Sequence, residues 1–381
     1  MAVKSTYISK LFIRIVLLAP SLGCFPSLGA AEGQLRRTAA TDTSWQLGPF
    51  ERVEEKNPIL LPLANSQFFC PLAEKIVHWE AKDVFNPAAV VRNNKVYLIY
   101  RAEDHVGPKF GTKRFGLAFS DDGVNFQRLS QPVFYPDHDA AEHWEQGGGV
   151  EDPRIVEDEM GRYVMTYTAY DGLVARLMVA TSFDLHSWHK HGPAFRYTLE
   201  GKYLDLWSKS GSIVSRRSGE HFVAEKINGS YWMYWGDSNI YLARSSDLLN
   251  WEIIEQDHKP RAVLEPRAGL FDSELVEPGP QAMLSDAGIL LLYNGKNAAQ
   301  GGDVQLQAGT YTAAQVLFSS SNPSQLLQRS ATYFLKPETS YEKEGQVPQV
   351  CFIEGLVNFK GVWRLYYGAA DSTVATAIFR E

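Results

Sequence analysis

Glu151 and Asp152 stand side by side, preceded by Gly147-Gly148-Gly149-Val150 and followed by Pro153-Arg154 and an apolar run. Paired acids beside a base suit proton transfer. One carboxylic acid protonates a leaving oxygen, while a second carboxylate across the site activates water or gives way to an attacking anion. Other ionisable or amide residues flank apolar runs in the same manner: Asn86, Arg101, Lys209, Glu225, Asp237, Glu277 and Asp371. Taken singly, each reads as a turn residue. Asp152 before Pro153, for instance, is an ordinary turn pair with Arg154 to neutralise it. Their chemistry depends on whether the fold brings them together.

Competing chemistries lack their residues. There is no nucleophile–histidine–acid series, nucleotide loop or HExxH, and the glycines follow a loop rather than open a helix, which excludes a dinucleotide fingerprint. His138 and His143 read as surface residues rather than metal ligands, so neither a metal nor a cofactor is expected. A formal net charge of -7 without a Lys/Arg block argues against nucleic acid or an anionic membrane as partner. Aromatic residues make up 12% of the chain, in runs such as Tyr231-Trp232-Met233-Tyr234-Trp235 that suit half-buried strands and stacking against sugar rings. Of the three cysteines, Cys70 and Cys351 read as buried free thiols, and Cys24 lies in a leader. That leader, residues 1–31, has Lys4 and Lys10, an apolar run from Leu11 to Phe25, and small residues at Gly29-Ala30-Ala31, the order of a secretory signal. A periplasmic or secreted location is the expectation, with no membrane attachment after processing.

The elements that must position these residues repeat. Ala88–Tyr100, Arg154–Tyr167, Phe222–Trp235, Ala282–Tyr293 and Gly355–Tyr367 are each an apolar stretch, a turn with Asn, Asp or Gly, and a second apolar stretch ending in Tyr or Trp. A third strand and often a fourth follow, several with a Ser-Asp turn, as in Phe115–Leu129, Leu177–His191 and Ile240–Ile254. Five units of four short strands, spaced roughly 55 to 75 residues apart, predict an all-β fold, a five-bladed β-propeller over residues 82–381. A double sandwich is the alternative. Residues 32–81 read as an N-terminal extension that packs across one face or completes the last blade. In a propeller the ends of the inner strands converge on one funnel. The scattered polar residues then form a ring of carboxylates with Asn and Arg partners, suited to breaking a glycosidic bond.

At this point the chain resembles glycoside hydrolase family 130, the β-mannoside phosphorylases and mannosidases. The resemblance rests on Asn86-Pro87-Ala88, Tyr100-Arg101-Ala102, Gly149–Ile155 with Thr166–Gly172, Glu225–Gly229, Gly279-Pro280 and Tyr366–Ser372. It implies that Asp152 is the general acid, acting through a hydroxyl of the bound mannose, and that Asn86, Arg101 and Asp371 hold that sugar. An acid working near neutrality needs a raised pKa, so burial or Glu151 should lift Asp152 while Arg154 points elsewhere. The triple glycine is expected to bring backbone close to the sugar.

The departures from the family pattern matter as much. Trp235-Gly236-Asp237 stands where phosphorylases of the family have His-Arg-Pro, and Val276–Pro280 carries Glu277 in place of a glycine-rich stretch. Carboxylates in place of cations repel a phosphate dianion and supply a base for water. The resemblance then implies an inverting, exo-acting β-mannosidase, with Glu277 as first choice for the base, Asp237 second and Glu225 third. The acid–base pair should stand roughly 6.5–9.5 Å apart. The runner-up is phosphorolysis, with inorganic phosphate as partner held by Lys209 and Arg101 or Arg114. A non-catalytic carbohydrate-binding propeller and a site for a different sugar, such as arabinose or fructose, are further readings. The expected partner is a small oligosaccharide, and self-association is left open.

Overall fold

A computed structural model describes residues 43–106 and 111–381. The proposed leader and Cys24 lie outside the described residues. The chain is built mostly of β-strands, with two four-residue helices, Glu142–Glu145 and Ser340–Lys343, and one 3-10 turn at Thr198–Gly201 among the described residues.

The strands group into successive antiparallel units. The first runs Asp83–Arg92, Lys95–Glu103, Lys113–Ser120 and Gln127–Arg128. The second runs Gly149–Glu157, Tyr163–Tyr170, Ala175–Ser182 and His189–Pro193. In the fifth, Cys351–Phe359, Val362–Ala369 and Thr373–Arg380 are completed by Glu51–Arg52, which pairs Glu51 with Ile378. A segment ahead of the first unit thus completes the sheet of the last.

The middle units are less regular than the repeat predicts. In the third, Ser212–Ser218 pairs through its first residues with Tyr231–Trp235 and through its last with His221–Ala224. Phe222–Trp235 is therefore not a simple hairpin. In the fourth, Leu275–Pro278 and Ala282–Ser285 both pair with Gly288–Lys296, and Gly279-Pro280 interrupts the strand between them. Two prolines in three residues remove the N–H groups a continuous ladder needs.

Apolar alternation buries one side of each sheet against the next. Five clusters result among the described residues, each drawn from two consecutive units, and one joins the fifth to the first. Cys351 lies in the cluster of units four and five, Cys70 in that of five and one, and both are free thiols. Tyr231, Met233 and Trp235 are buried in the cluster of units two and three, so most of the aromatic run is core. The Ser-Asp repeat also has a physical origin. Ser120, Ser182 and Ser245 each accept N–H groups from the following turn, and Asp122, Asp184 and Asp247 do the same one step on. These acids shape turns.

One irregularity recurs at the first strand of three units. The register shifts between Phe85 and Ala88, between Glu151 and Arg154, and between Ile353 and Gly355. Asn86 and Asp152, within two of these bulges, have φ of 45° and 55°, and Ser210, just before the third unit's first strand, has 56°. A bulge adds one residue and re-aims its side chain. A positive φ is costly for non-glycine residues and persists where neighbours over-determine it.

Candidate functional site

Those re-aimed side chains meet. A cavity of about 380 Å³ is lined by Asn86, Arg101, Asp152, Lys209, Glu277 and Asp371, together with Lys296, Tyr311 and Phe352 and the backbone-rich segments around Gly309 and Pro348. Six residues singled out from sequence thus converge from all five units. The volume falls within the range of small-molecule sites.

Asp152 is 3% exposed and sits at the centre of the charge. Its Oδ1 accepts from Asn86 Nδ2 at 2.9 Å and from Arg101 at 3.0 Å, and Lys209 Nζ lies 3.3 Å from Oδ2. Burial alone would raise this carboxyl. Lys209, Arg101 and the Asn86 hydrogen bond outweigh burial and hold it below the ordinary carboxylate range. The expectation of a raised Asp152 is therefore corrected. Glu151 takes the outer side of the same cations, 3.3 Å from Arg101 and 3.4 Å from Lys209.

The carboxyls that hold protons near neutrality are others. Glu277 is 5% exposed and accepts a hydrogen bond from the Ser210 hydroxyl. Burial pushes it up to about 7, against Lys209 and with help from Asp237. Asp371 is also pushed to about 7, by burial first and by the negative charge of Asp152, with Arg101 opposing. Asp152 is thus held low while its negative charge helps to raise Asp371. Tyr311 feels both Glu277 and Asp371, and it packs 6.0 Å from Phe352, centroid to centroid. This gives the cavity an aromatic wall.

Arg154 points away from the Asp152 carboxyl, as its chemistry required. Its guanidinium lies beneath the cavity, 2.8 Å from Glu354. Glu354 is itself buried and raised by that burial, with Asp152 and Glu277 adding to the effect and Arg154 opposing it.

Several expectations fail. Glu225 pairs with the exposed Arg216 at 2.8 Å, and its N–H donates to Val214, so it faces away from the cavity and drops out as a base. Arg114 is held inside the first unit by Asp104 at 2.7 Å, Thr112 O and Cys70 Sγ, and is no anion ligand of the cavity. Asp237 is intermediate. Its charge acts on Glu277 and Lys209, yet its carboxylate accepts from the indole N–H of Trp207 at 2.7 Å and does not line the cavity. The glycines have a reason of their own within the fold. A Cβ on Gly147 would sit 2.0 Å from the Asp171 backbone, and one on Gly149, at φ +95°, would sit 2.2 Å from Lys113 O. Their space is needed by neighbouring protein backbone. His138 pairs with Glu142 at 3.1 Å on the surface, and no cluster of metal-ligating side chains occurs among the described residues.

Tyr311, Phe352 and Glu354 escaped the sequence reading, and Ser210 and Lys296 were read only as residues at strand ends. For Ser210 and Glu354 a signal exists in the bulge dipeptides. Asn86-Pro87, Asp152-Pro153, Ser210-Gly211, Gly279-Pro280 and Glu354-Gly355 occupy equivalent places in the five units.

Residues 60–381 match the model of glycoside hydrolase family 130, described as beta-1,4-mannooligosaccharide phosphorylase. A 1,2-beta-oligomannan phosphorylase of a Thermoanaerobacter species is 34% identical over 336 residues, covering 86% of this chain and 96% of the relative. A solved structure of a putative glycosidase from Bacteroides thetaiotaomicron is 46% identical, with TM-score 0.86, covering 88% of this chain and 98% of that one. Another, from work on family members that are glycoside hydrolases targeting beta-1,2 mannosidic linkages in Candida mannan, is 45% identical. Its TM-score is 0.86, and it covers 88% of this chain and 95% of that one.

Proposed function

The chain belongs to glycoside hydrolase family 130, and from that premise we propose that it is an inverting β-mannosidase, built as a five-bladed β-propeller, that removes mannose from the non-reducing end of β-1,2-linked oligomannosides. The propeller reading is supported by five sheets whose clusters pack consecutively, the fifth against the first. Mannoside chemistry and the β-1,2 linkage are supported by the relatives of stated activity.

One observation carries hydrolysis over phosphorolysis. Among the described residues, every cation lining the cavity is already engaged by carboxylate: Arg101 by Asp152 and Glu151, Lys209 by the same two acids, and Lys296 by Glu274 at 2.7 Å. A phosphate dianion entering there finds no free cation among them and lies beside the anionic Asp152 and the partly ionised Glu277 and Asp371. At an effective dielectric of about 20, each like-charge contact at about 4 Å costs roughly 4 kcal/mol per unit charge. Water carries no such penalty. Glu277, poised near 7, is placed to take its proton.

The acid half of the reaction falls to the Asp152–Asp371 pair. Asp371, raised to about 7, supplies the proton, and Asp152, fixed by Asn86, Arg101 and Lys209, orients the sugar hydroxyl through which it reaches the leaving oxygen. Tyr311 and Phe352 supply an apolar face for the ring. The leader in residues 1–31 supports export to the periplasm or medium, where free phosphate is a less dependable co-substrate.

The second reading is phosphorolysis, favoured by the phosphorylase relatives at 34% and 29% identity. The test is β-1,2-mannobiose with and without inorganic phosphate, followed by proton NMR. Hydrolysis with inversion releases α-mannose at a rate independent of phosphate. Turnover that requires phosphate and yields mannose 1-phosphate overturns the reading.

A further inference from the structure

The proposed reaction uses neither Arg154 nor Glu354, yet both are buried, 2% and 1% exposed. A guanidinium out of water is tolerated only when its donors are matched by well-placed acceptors. Arg154 Nε donates to Gly279 O at 2.7 Å, and one terminal nitrogen donates to Pro278 O at 2.8 Å. The other terminal nitrogen donates to Asp152 O at 3.1 Å and to Glu354 Oε1 at 2.8 Å. The acceptors are not arbitrary. One is the carbonyl of the acid residue itself, at its positive-φ bulge. Two belong to the residues that directly follow Glu277, where Pro278 and Pro280 leave the strand short of ladder donors. The remaining carbonyl of that break, Pro280 O, accepts from Ser212 Oγ at 2.6 Å.

We propose that Arg154 is a positioning residue whose planar guanidinium sets the separation between Asp152 and Glu277 by gripping the backbone at both, with Glu354 holding the guanidinium in plane from the fifth unit. The proposal rests on the hydrolytic reading for its kinetic consequences but not for its geometry. A rigid, forked donor fixes direction as well as distance, and an ammonium cannot replace it at four acceptors. Inverting hydrolysis tolerates little slack, because a displacement of about 1 Å costs on the order of 10²-fold in rate. Glu354 is braced in turn. Asn294, in unit four, donates to Ile353 O at 3.1 Å and accepts from Ile353 N at 2.8 Å, so the bulge that presents Glu354 is pinned from the neighbouring unit.

The experiment compares wild type with Arg154→Lys, Arg154→Ala and Glu354→Gln on β-1,2-mannobiose, and adds millimolar methylguanidinium to each. For Arg154→Lys, kcat is expected to fall about 10²-fold with KM within about threefold. Methylguanidinium should raise kcat of Arg154→Ala at least tenfold and leave Arg154→Lys unchanged. Glu354→Gln, which keeps one carbonyl-type acceptor, should lose about tenfold in kcat. If Arg154→Ala does not fold, Arg154→Lys and Glu354→Gln decide the matter alone. Both remaining within threefold of wild type in kcat overturns the proposal, as does a loss of kcat that merely tracks the loss of folded protein. Crystal structures of wild type and Arg154→Lys separate this from the functional reading. A change of about 1 Å in the Asp152–Glu277 carboxyl separation supports the clamp even if wild type turns over no mannoside, and an unchanged separation overturns it whatever the activity.

Discussion

Replacing Glu277 with glutamine changes one oxygen to an amide in a site where burial and a Ser210 hydrogen bond hold the side chain in place. Two consequences of opposite sign follow. The amide cannot accept a proton from water, so kcat/KM should fall roughly 10²–10⁴-fold, or about 3–5 kcal/mol of barrier. The fold, by contrast, should become more stable. An acid raised from 4.5 to about 7 binds more protons folded than unfolded between those values. Wild-type stability therefore falls as pH rises through that window and levels off above 7. At about 1.4 kcal/mol per pH unit the loss reaches about 3 kcal/mol. Glutamine has no such term. The difference between variant and wild type should be near zero at pH 4 and grow to about 3 kcal/mol at pH 8, read by denaturant titration at several pH values. In the active wild type, kcat/KM should decline about tenfold per pH unit below about 7, as Glu277 takes up its proton. A glutamine variant that keeps more than a tenth of wild-type turnover refutes the base assignment. Parallel stability curves for the two proteins refute the electrostatic account of the site.

Asp152→Asn should lower kcat by 10³-fold or more and also lower fold stability at neutral pH, because Arg101 and Lys209 lose a buried carboxylate partner; mannose or mannobiose binding by the folded protein should be retained by calorimetry, and unaltered kcat would remove Asp152 from the chemistry. Asp371→Asn should abolish the alkaline decline of kcat/KM that begins near 7, since the amide cannot lose the proton that Asp371 loses there; persistence of that decline assigns the proton elsewhere. Glu225→Gln, by contrast, should leave kcat/KM within threefold of wild type, because this carboxylate faces Arg216 and solvent. Arg114→Met breaks the buried pair with Asp104 and should cost about 3–5 kcal/mol of stability. The kcat/KM of its folded fraction should stay unchanged, and a selective loss of activity would return Arg114 to the site.

Much of this was legible in the chain. The repeated hairpin carries its own turn residues and aromatic ends, so the unit and its recurrence needed only local physics. Asn86, Asp152 and Asp371 stood out because polar residues at the margins of apolar strands point to strand ends, and strand ends in a repeated fold converge. The same rule misled at Glu225. Its position beside a strand does not say which end of the sheet that strand presents, and the double pairing of Ser212–Ser218 turns Glu225 toward Arg216. Arg114 is one residue from Lys113, which pairs with Glu103 and Glu151, and points to the opposite face because strand side chains alternate.

Glu354 shows the limit most plainly. Ile353-Glu354-Gly355 lies inside an apolar strand and reads as an isolated acid, and only the bulge and the distant Arg154 make it part of the floor beneath Asp152. Charge states were further out of reach. The family resemblance implied that Asp152 would be the protonated acid, whereas Arg101, Lys209 and Asn86, from two other units, keep it anionic, and Asp371 is the one raised to about 7. The sequence by itself determined the strands, their recurrence, the family and most of the polar residues of the cavity, because these rest on local patterns of residue type. Only the tertiary structure decided which carboxylates share a cavity, which cations they consume and which of them holds a proton. Those depend on distances of a few ångströms between residues as much as 200 positions apart, as with Arg154 and Glu354.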